Sequence, residues 1–175
     1  RQGYERGACG YREIQTGVRL PGLWRQQVSE VQSTRLHDLG EVMQLGEITT
    51  RPKQDILIQK IRNAVAECKR EGKPARVLVQ APCGAGKTVI SSAIMALALE
   101  KNRTSAFIVR GRLLVTNKSR TLDRCGIHHA ILMNGHEFAQ SNVTVVSVDS
   151  YTSRVIEREI IPVMNPDVWI IDECH

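Results

Sequence analysis

Ala81-Pro82-Cys83-Gly84-Ala85-Gly86-Lys87-Thr88 is the stretch on which the fold turns. Before it, Val77-Leu78-Val79 is a short apolar run of the kind a buried strand carries. After it, residues 88–101 are apolar on most sides through Val89, Ile90, Ala93, Ile94, Leu97 and Ala98, as a helix packed on a sheet requires. Gly84 and Gly86 can take backbone angles closed to other residues, so that successive N–H groups converge on phosphate oxygens. The helix beginning near Lys87 turns its positive dipole end to the same anion. Lys87 then serves the β- and γ-phosphates, and the Thr88 hydroxyl suits Mg²⁺. The loop departs from G-x-x-x-x-G-K-[ST] by carrying Ala81 at the first position. With Lys-Thr in register between a strand and a helix, it reads as a nucleotide site.

Outward from the loop, helix and strand alternate. Residues 54–69 place Ile56, Ile58, Ile61, Ala64, Val65 and Cys68 at near-helical spacing, and Gly72-Lys73-Pro74 ends the run. Further strands are expected at 75–80, 105–109, 129–133, 143–148 and 167–171, with helices at 113–122 and about 151–161. Such alternation predicts an α/β fold with a mostly parallel sheet covered by helices on both faces.

Val168-Trp169-Ile170-Ile171 leads into Asp172-Glu173, so both carboxylates lie where a buried strand ends, 85 residues beyond Lys87. Ligand chemistry in open parallel sheets belongs at that end of the strands. Two adjacent acids there divide the labour: Asp172 holds Mg²⁺, and Glu173 polarises the attacking water.

Ala-x-x-Gly-x-Gly-Lys-Thr followed by Asp172-Glu173-Cys174-His175 resembles motifs I and II of superfamily 2 helicases and translocases, the DEAD/DExH-box class. Thr50-Arg51-Pro52-Lys53-Gln54 is similar to that class's Q-motif. The resemblance covers about residues 47–175 and implies a RecA-like P-loop NTPase domain, incomplete at its C-terminus. It implies that ATP and Mg²⁺ are held by Gln54, which selects adenine, by the loop residues Pro82, Cys83, Gly84, Ala85, Gly86, Lys87 and Thr88, and by Asp172. Lys87, Asp172 and Glu173 would carry the catalysis, with Thr88 and Asp172 on the metal. His175 would couple ATP state to the nucleic-acid side. Phe107-Ile108-Val109-Arg110-Gly111-Arg112 looks like motif Ia, and residues 145–150 look like a later strand whose following loop meets nucleic acid. Arg112 and Ser150 are thus candidate contacts to a DNA or RNA backbone; an exposed Arg and a helix N-cap Ser are the plainer readings of the same two residues. An arginine finger would come from a second RecA-like domain, so the chain alone is expected to bind ATP weakly, hydrolyse it poorly and unwind nothing.

Charge agrees with a phosphate-bearing partner. Residues 1–50 carry six Arg and six acids, so the whole formal +6 of the 175 residues falls on 51–175. The longest apolar run, Ala93 to Leu99, is far too short to span a bilayer. Five cysteines (9, 68, 83, 125, 174), odd in number and scattered, argue against a disulfide scaffold and for a reducing, cytoplasmic setting. Cys83 reads as a passive loop residue, with a reactive thiol as the sharper alternative. Cys125, His128, His129 and His136 match no standard zinc spacing.

Residues 1–46 read as a weakly ordered leader or the tail of an upstream segment, with 28–39 as a short helix and Met43 as a plausible natural start. The chain begins without Met and stops just past an apolar strand, so a piece of a longer protein is expected. Two other functions fit the same motifs: a P-loop ATPase switch or kinase that never meets nucleic acid, and a non-catalytic fragment.

Overall fold

The strand expected just before the phosphate loop forms, and a partner from the N-terminal segment lies beside it. The computed structural model describes residues 42–172 and, as backbone, Arg12–Gln15. Its elements in chain order are β1 (Arg12–Gln15), β2 (Gln44–Leu45), β3 (Ile48–Thr49), α1 (Pro52–Arg70), β4 (Val77–Gln80), α2 (Lys87–Leu99), β5 (Ser105–Val109), α3 (Arg112–Arg124), β6 (Ala130–Leu132), β7 (Val143–Ser147), α4 (Val148–Tyr151), a π-helical stretch (Thr152–Glu157) and β8 (Val168–Ile171). The helix expected at 28–39, Glu173 and His175 lie outside the described residues.

These elements fall into two compact units. In the first, β1 runs parallel to β4 in register from Arg12 opposite Val77 to Gln15 opposite Gln80. The α1 helix packs on this pair. It buries Leu57, Ile58, Ile61 and Cys68; of the expected stripe, Ile58, Ile61 and Cys68 face inward, Ala64 and Val65 are half-buried, and Ile56 is exposed while its neighbour Leu57 takes the inner place.

The second unit holds Val42–Arg51 and the chain from Gly86 onward. Its sheet has four parallel strands in the order β6-β7-β5-β8. Every residue of β7, Val143 through Ser147, is buried. Side chains alternate between the faces of a strand, so a run buried at every position is covered on both. α2 packs on β5 and β8, and α3 on β7. An apolar cluster of Ala106, Leu132, Val146, Val155 and Ile161 fills one region of the core. The chain is thus α/β with a parallel sheet, as its alternating pattern predicts.

The structure bears on two expected boundaries. The boundary placed between residues 46 and 47 falls inside the β2–β3 hairpin, where Leu45 pairs with Ile48. This hairpin closes the C-terminal end of α3, because the Glu47 N–H donates to the Arg124 carbonyl at 2.8 Å. The helix expected over 151–161 begins three residues earlier and widens into π geometry at Thr152. The N–H groups of Ile160 and Ile161 both return to the Arg154 carbonyl, at 2.9 and 3.1 Å, and Glu159 takes φ 52°. That wide turn brings Ile161 into the core beside Val155, which a continuing α-helix would not do.

Candidate nucleotide site

Within the first unit, α1 and the loop after β4 meet. Gln54, near the start of α1 and buried, donates from Nε2 to the Ala85 carbonyl at 3.0 Å. The Ala85 N–H donates to the Pro82 carbonyl at 3.2 Å, folding 82–85 into a turn. Pro82, Cys83 and Gly84 are exposed along that turn. The Gln54 expected near adenine is therefore held against the phosphate loop.

The chain passes from the first unit into the second at Gly86. Gly84 and Gly86 have φ of 78° and 80°, left-handed angles that disfavour any side chain. Nothing lies within 4 Å of the place where a Cβ on Gly84 would sit, so the backbone is open to an incoming group. Gly86 stands at the N-cap of α2, and its carbonyl accepts from the N–H groups of Val89 and Ile90 at 2.9 and 3.0 Å. No acidic residue occupies the first turn of α2, so the positive end of the helix is left for an anion from outside. Lys87 is exposed and Thr88 half-buried. These residues fit a phosphate cradle followed by a cation-ligating hydroxyl.

In the second unit, Asp172 follows β8, and its N–H donates to the Ile108 carbonyl at 3.1 Å, which anchors it beside the carboxyl end of β5. Arg110 and Arg112 lie just beyond the same end of β5, with Arg110 exposed.

A residue that motif reading passed over lies beneath α2. Lys118, from α3, is 1% exposed. Its Nζ donates to the Thr88 carbonyl at 3.0 Å, to Ser91 Oγ at 2.7 Å and to Ser92 Oγ at 2.9 Å. It also stands 4.3 Å from the centre of the Phe107 ring. Burial pulls its pKa down to about 7, while Cys125 and the Asp172 carboxylate oppose that pull. The sequence did carry a signal: Val115, Lys118 and Leu122 share one helical face, all three buried, with a charge among apolar residues.

Ser150 requires a correction. It is 1% exposed, inside α4, and its Oγ accepts the Asn134 N–H at 2.8 Å. It fastens the loop after β6, out of reach of a polymer phosphate, and the N-cap of α4 is Ser147. His129 is likewise committed within the fold: Nε2 lies 2.8 Å from Ser119 Oγ, and Nδ1 lies 2.9 Å from the Ile127 carbonyl. Among the described residues, no group of three or more His, Cys, Asp or Glu side chains could hold a metal, and no helix is long and apolar enough to cross a membrane.

A family model described as "Type III restriction enzyme, res subunit" matches residues 47–175. Neither the curated proteins nor the solved structures give a match. The matched family carries a RecA-like ATPase domain of superfamily 2 helicase type, in keeping with the parallel sheet and glycine loop described above. The match spans most of the 175 residues, and the chain therefore belongs to the type III restriction enzyme res-subunit family, as its helicase-type ATPase motor domain.

Proposed function

We propose that the chain supplies the ATP-hydrolysing half of a motor that moves along or opens nucleic acid. The observation that carries this reading is the loop backbone: Gly84 and Gly86 both at positive φ, open space above Gly84, and a helix starting at once with Lys87-Thr88. In this reading Pro82 through Thr88 hold the triphosphate, with Lys87 on the β- and γ-phosphates. Gln54 selects adenine from beside the loop. Thr88 and Asp172 hold Mg²⁺, whose charge offsets that on the phosphates. Glu173 polarises a water whose oxygen bonds to the γ-phosphorus in line with the bridging oxygen, which leaves on ADP.

The surplus of positive charge in residues 51–175, with Arg110 and Arg112 at the carboxyl end of β5, supports a grip on DNA or RNA backbone without sequence readout. A second RecA-like domain is the partner this reading requires, as the source of an arginine finger. Cys68, Cys83 and Cys125 are free thiols, which fits a reducing, cytoplasmic setting.

The test is MgATP binding and ATPase activity, the latter measured in the presence and absence of DNA or RNA. Lys87→Ala is expected to weaken MgATP binding by about 100-fold. Polymer should raise the hydrolysis rate of the motor containing this domain, and that stimulation should fade as salt rises. An unstimulated rate with no salt-sensitive polymer binding would make the chain a nucleotide switch instead. Unchanged MgATP affinity in Lys87→Ala would remove the nucleotide site altogether.

A further inference from the structure

Lys118 belongs to no motif used above, yet it is the bulkiest fully buried side chain among the described residues. An ammonium group taken out of water is costly, and it persists in a fold where its donors are all met or where its position matters. Here the three donors of Nζ find three acceptors: the Thr88 carbonyl, Ser91 Oγ and Ser92 Oγ. The two serine hydroxyls in turn donate to that same Thr88 carbonyl, at 2.9 and 2.8 Å. One backbone oxygen thus collects three side-chain donors, drawn from two helices. On the other side of the same peptide unit, the Val89 N–H donates to the Gly86 carbonyl at 2.9 Å. The peptide joining Thr88 to Val89 is pinned at both ends.

That pinning acts on the residue with most to do at the site. The Thr88 side chain hangs from a Cα whose following peptide cannot rotate without breaking this cluster. Serine hydroxyls bonding back to a carbonyl three or four residues earlier loosen and bend a helix when left to themselves. A third donor from a separate element, set against the Phe107 ring and in the field of Asp172, fixes the direction of the carbonyl. We propose that Lys118 is a positioning residue of the nucleotide site: reaching from α3, it locks the first turn of α2 and so aims the Thr88 hydroxyl at the cation that accompanies the nucleotide. This inference rests on the reading of Thr88 as a Mg²⁺ ligand.

Two measurements on the full chain test it. The first is ATP affinity with Mg²⁺ and with EDTA, in the unmodified protein, in Lys118→Met, and in Lys118→Met combined with Ser91→Ala and Ser92→Ala. The triple variant removes the ammonium and both serine hydroxyls together and leaves of the cluster only the Thr88 carbonyl, so a role confined to stability is relieved while the aim of Thr88 stays lost. The gain in affinity that Mg²⁺ confers should fall about tenfold in both variants, the scale seen when a partner behind a metal ligand is removed, while affinity in EDTA holds. The second is hydrogen exchange without nucleotide, where amides at the start of α2 should exchange faster in the variants and those of β5 and β7 should not. An undiminished Mg²⁺ gain in the triple variant overturns the proposal. If Lys118→Met does not fold, the pair Ser91→Ala with Ser92→Ala reads the same Mg²⁺ gain, and an undiminished gain there overturns the proposal equally. If the unmodified protein shows no Mg²⁺ gain, the reading of Thr88 falls and this inference with it; a normal gain that survives in every variant sinks the inference alone.

Discussion

The phosphate loop and the β2–β3 hairpin each turn on a left-handed glycine, and the space above the two is opposite. A Cβ built on Gly46, at φ 55°, would lie 2.6 Å from the Arg124 carbonyl oxygen and 2.7 Å from the Cys125 carbonyl carbon. A Cβ on Gly84, at φ 78°, would meet nothing within 4 Å. Gly46 lets one element of the fold press against another. Gly84 leaves a stretch of backbone open to an incoming ligand. Open space alone does not mark a site, since Gly72, Gly111 and Gly126 are equally open at positive φ; what sets Gly84 apart is the helix that starts three residues later with Lys87-Thr88.

Substitution can sharpen or break that contrast. Gly46→Ala combines left-handed strain with a collision against backbone, so it should cost about 2–3 kcal/mol of stability, measured by urea unfolding. Its affinity for MgATP, per folded molecule, should be unchanged. Gly84→Ala meets no neighbour and should cost only about 1 kcal/mol, the ordinary penalty of a left-handed non-glycine residue. Its MgATP affinity should nevertheless fall at least tenfold, because the new methyl group occupies the opening. Equal losses of stability, or unimpaired nucleotide binding in Gly84→Ala, would dissolve the distinction.

The smallest effect is expected at Asp167, an exposed residue at the entry of β8. Its carboxylate accepts from the Thr104 N–H at 2.9 Å and from Arg103 Nη1 at 2.7 Å, tying the entry of β8 to that of β5. The Thr104 N–H first, and then Arg103, hold the carboxyl below its usual range. A carboxyl whose folded pKa is depressed adds stability that is fully present above the ordinary carboxylate pKa and disappears as pH falls through the lowered one. Asp167→Asn should therefore unfold slightly more readily than the parent at neutral pH, and the gap should close in acid. A gap that persists unchanged to low pH would mean that the charge contributes nothing. Nucleotide affinity should not respond.

Legibility followed the same division. The strand at 105–109 was readable to the residue and that at 143–147 nearly so, because continuous apolar runs report burial on both faces directly; the run at 168–171 also forms a strand, but not the buried one expected, since Trp169 and Ile171 are exposed. The turn between β4 and α2 was readable because its geometry is local: two left-handed glycines and a helix that starts at Lys87. The segment after Tyr151 was not, since its wide turn is set by where Ile161 finds room in the core. Ser150 was misread for a related reason. Its place in the order of motifs pointed to a polymer, while its burial against Asn134 depends on a loop 16 residues away in sequence.

The sequence by itself determined the class of the fold, the glycine turn between β4 and α2 and the place of Asp172 just after β8, since each follows from short-range pattern and the backbone freedom of particular residues. Tertiary structure alone decided which polar side chains face inward. Lys87 and Lys118 are the same residue type, yet one is exposed at the head of α2 and the other is sealed beneath its first turn. Solvation is a property of surroundings, so what separates these two lysines becomes visible only when α3 is laid against α2.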